Sequence, residues 1–221
     1  MSTLYVYTEK DLQRFVAPRL LSAPVAYDQR FMDQYSNVLR LYFNQLDSFN
    51  NQLRTQALSP ISDGTGIYFP NGQFASTATQ TAAVVNTAYN VTLDTTEASA
   101  DIALASGYQV VTAKAGRYNF QFSIQVANLA NSTEHIEIWF HHNGIDIPRS
   151  NSRFGMAARK NSTTPFFTVG TVNLLVDMAA GDNISLQWLT THVDAKIQAY
   201  PANLGPAVPS VILTATFVSK I

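Results

Sequence analysis

The chain has 221 residues, a formal net charge of −1 and no cysteine. Charged residues make up 13% of it, compared with about 25% in an average globular protein, so bulk charge provides no attraction to nucleic acid or anionic lipid. Without cysteine, the chain has no disulfide framework, no thiolate nucleophile and no cysteine metal ligand.

The N-terminal sequence MSTLYVYTEKDLQRF has no basic region followed by an apolar stretch. No apolar run anywhere approaches the roughly 20 residues of a membrane span. We therefore expect a protein that is made in a cytosol and does not insert into a membrane.

The first 26 residues predict a docking arm with one short helix. Thr8 followed by Asp11 is typical of a helix N-terminus, and Pro18 ends that helix. The apolar side chains of the arm are too few for an independent core: Leu12, Phe15, Val16, Leu20 and Leu21. Such a segment gains order by packing on a partner. Residues 1–26 are therefore predicted to dock on a larger assembly, with folding back onto the following helix as the alternative.

Residues 27–58 predict one long helix with an apolar stripe. Apolar side chains recur at alternating steps of three and four residues: Met32, Tyr35, Leu39, Tyr42, Leu46, Phe49 and Leu53. This spacing is typical of a coiled coil, and Phe31, Val38 and Phe43 widen the stripe. No second long helical pattern follows, so identical copies are the simplest partner. We expect a trimer in preference to a dimer. An ordinary helix packed on its own domain is the alternative.

From Gly64 onward the apolar period changes to two, which is typical of strands. In YNFQFSIQV the expected buried face is Tyr118, Phe120, Phe122, Ile124 and Val126. Further strands are predicted in IEIWFHH, FFTVGTVNLLV, ISLQWLTTHV and VILTATFVSKI, with turn residues between them. Many short strands without intervening helices predict an antiparallel β-sandwich over residues 67–221, joined to the helix by a hinge at 59–66.

The stretch SGYQVVTAKAGRYNFQFSIQV resembles the signature of the C1q/TNF-like jelly-roll family, in which a glycine-aromatic strand leads through a glycine turn into a strand of alternating aromatics. The matching residues are Gly107, Tyr108, Gly116, Tyr118, Phe120 and Phe122. Gly181 and Asp182 resemble a later turn of the family, and SVILTATFVSKI resembles its last strand. The resemblance covers residues 86–221 and implies a ten-stranded jelly roll that assembles as a compact trimer. Three such heads would place three helices side by side, so that each apolar stripe is covered by the other copies.

A cysteine-free chain rich in Asn, Gln, Ser and Thr, with an arm, a trimeric stalk and a β head, also resembles tailed-phage virion proteins. This resemblance concerns architecture alone. It implies a non-enzymatic structural protein of the virion: a capsid decoration or cement protein, or a short fibre-like appendage, anchored to the capsid or tail through residues 1–26. The alternatives are a receptor-binding tail-fibre protein that recognises a host surface glycan, and a free C1q/TNF-like binding module.

No motif in the chain predicts catalysis, a cofactor or a metal site. GxSxG, a phosphate loop and HExxH are all missing from the sequence. His141 and His142 are adjacent on a predicted strand and therefore point to opposite faces. His135 and Glu137 share a face with His141, and we interpret them as solvated polar residues in preference to metal ligands.

One basic cluster is a candidate ligand or contact segment. Its members fall in a predicted loop over residues 149–160: Arg149, Arg153, Arg159 and Lys160. An acidic glycan, a phosphate group or a neighbouring subunit would suit such a cluster, while a merely solvated loop is the alternative. No clustering of exposed Trp or Tyr is evident that would predict a carbohydrate platform.

Overall fold

The computed structural model describes residue 19, residues 26–52 and residues 69–221. The chain divides into two compact units, residues 1–67 and 68–221. Several predicted features lie outside the described residues: the arm side chains Leu12, Phe15, Val16, Leu20 and Leu21, the stripe residue Leu53, and the hinge at 59–66.

The described part of the first unit contains helix α1, Gln29–Gln52. Asp28 caps it: the Asp28 carbonyl accepts a hydrogen bond from the Met32 amide at 3.1 Å, and Asp28 Oδ1 accepts one from the Arg30 amide at 2.9 Å. The cap satisfies amide groups that the first turn leaves without partners. The predicted helix is thus confirmed over 29–52, and its length there is about 36 Å. Over the described ranges, no helix combines the length and hydropathy of a bilayer span.

The second unit is a sandwich of two antiparallel sheets, which confirms the predicted mainly β architecture. Its described strands are β1 (Asn71–Ser76), β2 (Tyr89–Asn90), β3 (Thr95–Ala100), β4 (Ile102–Ala105), β5 (Gln109–Thr112), β6 (Gly116–Asn128), β7 (Glu134–His142), β8 (Ile145–Asp146), β9 (Ser152–Met156), β10 (Phe166–Met178), β11 (Asn183–Thr190), β12 (Ala195–Ile197) and β13 (Val211–Ser219). Among these, β2, β8 and β12 have only two or three residues.

Strands that are distant in sequence lie side by side in both sheets. The six-stranded sheet has the order β10-β6-β13-β1-β3, with β12 also paired to β6. The seven-stranded sheet has the order β4-β5-β11-β7-β8, with β2 paired to β11 and β9 to β7. The longest pairing joins β6 and β10, from Asn128↔Phe166 to Gly116↔Met178.

Apolar side chains from both sheets fill the space between them. The predicted buried face of β6 is confirmed, because its five members are all fully buried: Tyr118, Phe120, Phe122, Ile124 and Val126. The Phe122 ring centroid lies 5.5 Å from that of Phe140 and 6.5 Å from that of Phe154, both on the opposite sheet. Gly170 on β10 leaves room for the Phe154 ring, since a Cβ there would lie 2.5 Å from Phe154 Cε1.

The turn between β10 and β11 contains the Gly181-Asp182 pair. Gly181 has a φ of 89°, a left-handed conformation that favours glycine. The Asp182 carboxylate accepts hydrogen bonds from Asn143 Nδ2 at 2.7 Å and from the Ala179 amide at 2.8 Å, and it lies 3.0 Å from His142 Nε2. Asp182 therefore ties this turn to the turn between β7 and β8.

Candidate functional site

Helix α1 places the predicted stripe along one side. Its described members beyond Met32 are all half-buried: Tyr35, Leu39, Tyr42, Leu46 and Phe49. Met32 is 43% exposed and the flanking Phe43 is 55% exposed. We refer to these seven residues as the α1 stripe. It leaves apolar area in contact with water that a partner would cover.

The outer face of the six-stranded sheet is nearly uncharged over β10, β6, β13 and β1, whereas the edge strand β3 contributes Glu97. Its central row runs across four strands as register partners: Asn173, Gln121, Thr214 and Gln73. On β10, β6, β13 and β1, the charged side chains of this described face are Arg117 and Asp177, which pair at 2.6 Å near one end. Depletion of charge is typical of the centre of protein–protein interfaces.

Strand β10 adds large apolar side chains to this face. Phe167, Val169 and Leu175 are 64%, 51% and 57% exposed, and we call them the β10 face. Among the described strands β10 is an edge, with β6 on one side only, and the outer edge of such a strand is a surface on which another chain can pack. Beside Leu175, the buried Oδ1 of its register partner Asn119 lacks a hydrogen-bond partner in the described structure.

A cleft of about 450 Å³ opens on the same face between β1, β13 and residues 199–209. Ala75, Val208 and Ile212 form part of its apolar wall, and Tyr200 also lines it. Burial raises the pKa of Tyr200, and its hydroxyl has no hydrogen-bond partner among the described residues. The cleft is a recess in which a large side chain of a neighbouring molecule can be buried.

The prediction that residues 149–160 form one loop was wrong. Residues Ser152–Met156 are strand β9, paired with β7, so Arg153 lies on a strand. Strand β9 has only two apolar side chains, Phe154 and Met156, with Gly155 between them, so its pattern does not stand out from that of a loop. Arg159 Nε donates to Asn131 Oδ1 at 2.7 Å, while Arg149, at a φ of 67°, and Lys160 lie in exposed turns. The four cations are thus distributed over turns and a strand.

Strand β7 presents four partly exposed side chains on the outer face of the seven-stranded sheet: His135, Glu137, Trp139 and His141. The predicted common face of His135, Glu137 and His141 is confirmed. Trp139 lies on this face by the same two-residue alternation, although no sequence motif singled it out. The indole Nε1 of Trp139 donates a hydrogen bond to Asp146 Oδ1 at 2.5 Å, and His141 Nε2 lies 3.5 Å from the same oxygen.

Polar groups on neighbouring strands surround Trp139. Gln187 on β11 is its register partner, and Gln187 Nε2 donates to Asn90 Oδ1 on β2. On the β9 side, Asn151 Nδ2 donates to Glu137 Oε2 at 2.7 Å, and Arg153 Nη2 lies 2.5 Å from Glu137 Oε1. The hydrogen bond from Asn151 and then that from Arg153 lower the pKa of Glu137. Glu137 is therefore ionised at neutral pH.

Each histidine lies beside one carboxylate, in the pairs His135–Glu137 at 3.5 Å, His141–Asp146 at 3.5 Å, His142–Asp182 at 3.0 Å and His192–Asp194 at 3.9 Å. In the part of the chain that the structure describes, no group of three or more potential ligands converges on a metal position. Of these four pairs, His142–Asp182 is also a hydrogen bond between the two side chains.

No protein-family model matches the chain, and no curated protein matches it either. A functional assignment therefore depends on the surfaces of the molecule itself: the α1 stripe, the uncharged sheet face with its β10 edge, and the polar row around Trp139.

Proposed function

We propose that the chain is a non-enzymatic, homotrimeric structural protein of a phage virion, acting as a capsid decoration or cement protein or as a short fibre-like appendage. The α1 stripe is the main observation behind this proposal. A helix of 24 residues holds large apolar side chains at coiled-coil spacing, and association with identical helices would bury them at a gain of roughly 25 cal/mol per Å² of apolar surface.

The head of each chain is assigned to the C1q/TNF-like jelly rolls. Strand order supports this assignment, because the longer strands pair as β10-β6-β13-β1 in one sheet and β5-β11-β7-β9 in the other. Taken in chain order, these eight strands change sheet at every step except from β7 to β9. This alternation is typical of a jelly roll built from two Greek keys. The resemblance to that family implies three copies, which favours the trimer over the dimer.

The head also supplies a second surface for association. In the proposed trimer, the β10 face of one head packs on the nearly uncharged outer face of the next. Burying the exposed apolar side chains of β10 against a neighbouring head would remove them from water, which is favourable. The acceptor face has few charges, so desolvating it costs little free energy.

The virion location is proposed from the likeness of arm, stalk and head to tailed-phage proteins. Residues 1–26 would hold the protein on the capsid or tail, and three arms on one stalk would bind multivalently. Native mass spectrometry of the purified chain, combined with proteomics of purified phage particles, tests both parts. Three chains per complex and recovery with the particle are expected. A stable monomer at micromolar concentration, or a protein recovered only free of particles, would contradict the proposal.

Recognition of a host surface glycan is a second candidate function. The row of polar groups around Trp139 favours it, since indole rings beside amides and carboxylates suit sugars. A free C1q/TNF-like binding module would share the fold and the trimer, and the same particle proteomics distinguishes it from a virion protein.

A further inference from the structure

We propose that the outer face of β7 binds a neutral pyranose unit of a glycan. The site, called the Trp139 patch, consists of Trp139, Glu137, His141, Asp146, Asn151 and Gln187. It lies on the sheet opposite the proposed head-to-head contact, so it depends on neither the trimer nor the virion location.

The indole of Trp139 is the platform. The hydrogen bond from Nε1 to Asp146 Oδ1 fixes the orientation of the ring, so little rotational freedom is lost when a ligand binds. One face of a pyranose consists of C–H groups with slight positive charge, which stack favourably on the electron-rich face of an indole. The second tryptophan of the chain, Trp188, is only 1% exposed and belongs to the core.

Polar groups around the ring match the hydroxyls of a sugar. Gln187 faces Trp139 from β11, Glu137 and His141 precede and follow it on its own side of β7, and Asp146 on β8 pairs with His141. A sugar hydroxyl both donates and accepts hydrogen bonds. Amide NH₂ groups of Gln187 and Asn151 can donate to hydroxyl oxygens, and the carboxylates of Glu137 and Asp146 can accept from hydroxyl protons.

The charge of the patch selects a neutral sugar. The patch contains the carboxylates of Glu137 and Asp146. The neighbouring guanidinium of Arg153 is already paired with Glu137 at 2.5 Å. A sialic acid, uronic acid or phosphorylated sugar would bring its negative charge next to Asp146, with no unpaired cation in the patch to offset it. This preference differs from the acidic ligand that the basic segment alone would suggest.

Space beside the patch allows a sugar chain to continue. Gly155 on β9 is the register partner of His135, and a Cβ added to Gly155 would meet no atom within 4 Å. The surface next to His135 is therefore open, and a second sugar unit can extend along β7 from Trp139 toward His135.

Fluorine NMR of the full chain labelled with 5-fluorotryptophan tests the site, because two tryptophans give two signals. Maltotriose, cellotriose and mannotriose are the neutral probes, and 3′-sialyllactose is the anionic probe. We expect at least one neutral trisaccharide to shift the Trp139 signal saturably, with the Trp188 signal unchanged and no shift from 3′-sialyllactose. No saturable shift from any neutral probe, or a shift from the anionic probe alone, overturns the proposal.

Variants give an independent readout through saturation-transfer NMR on the protons of the bound trisaccharide. Trp139→Ala should abolish saturation transfer, Trp139→Phe should retain part of it, and Gln187→Ala should weaken binding severalfold. Val193→Ala, at an exposed position in the turn before β12, is the matched control and should bind as the native chain does. An unshifted Trp188 signal verifies folding of each variant. Full binding by folded Trp139→Ala overturns the proposal.

Discussion

Phe122 is fully buried between the rings of Phe140 and Phe154. Phe122→Ala should remove these contacts and leave a cavity that the rigid strands cannot close, lowering the free energy of unfolding by about 3–5 kcal/mol. Urea denaturation measures the loss. Leu204→Ala, at a fully exposed loop position, is the control and should change stability by less than about 0.5 kcal/mol. Equal stability of the two variants would contradict the assigned packing.

Asp182 makes stability depend on pH. Its hydrogen bonds, first that from Asn143 and then that from the Ala179 amide, lower its pKa below the usual 3.8. A carboxylate whose pKa is lower in the folded state than in the unfolded state stabilises the fold. This contribution to the free energy of unfolding is complete at pH values above the unfolded pKa, and it is lost as the pH falls through the folded pKa. We expect the free energy of unfolding to decrease from about pH 5 to about pH 3. The free energy of unfolding of the Asp182→Asn variant should decrease less steeply over this pH range. A pH dependence as steep as that of the native chain would contradict this role of Asp182.

At the scale of the element, α1 provides the sharpest test of self-association. Leu39→Asp combined with Leu46→Asp places six charges in the seam of the proposed trimer, where desolvation would oppose assembly. The 222 nm circular dichroism signal of α1 should melt at a lower temperature. Asn37→Asp with Asn44→Asp adds the same charge away from the stripe and serves as the control. Equal melting of both double variants would show that α1 has no apolar partner.

Local patterns predicted the long elements because each has its own period. The stripe of α1 repeats every three or four residues, and the burial of β6 alternates from Gly116 to Val126, after which Ala127 and Asn128 are both buried. Strand β9 escaped prediction because it has only two apolar side chains. The surroundings of Trp139 were also beyond local pattern, because long-range pairing sets them. Gln187 is its register partner on β11, and Asn151, just before β9, donates to the neighbouring Glu137.

For the whole molecule, the β10 face provides a test of contact between heads. Phe167→Asp with Leu175→Asp should shift dissociation of the proposed trimer to higher protein concentration, because charges would replace apolar side chains at the contact. Sedimentation velocity over a dilution series measures the shift. Ile145→Asp introduces one charge at an exposed position on β8 of the opposite sheet and should leave dissociation unchanged. If the β10 double variant dissociates like the native chain, the heads associate through another face.

The docking role of residues 1–26 is tested by deletion. The shortened chain should remain a soluble trimer, since α1 and the head are retained, but should fail to join the particle. Incorporation is measured by mass spectrometry of particles assembled with the shortened chain, with the full chain as the control. Normal incorporation of the shortened chain would locate the attachment in the stalk or head.

Because Asn71 pairs with Thr216, a ribosome must synthesise the chain through β13 before the six-stranded sheet can close. Pairings so far apart in sequence form slowly, whereas α1 precedes all the strands that the structure describes and needs only local hydrogen bonds to begin. In the proposed trimer, helices on chains growing from one messenger RNA would meet while their heads are still incomplete. The stalk would then hold three unfinished heads at high local concentration. The three chains would therefore associate before the sheets of their heads are complete.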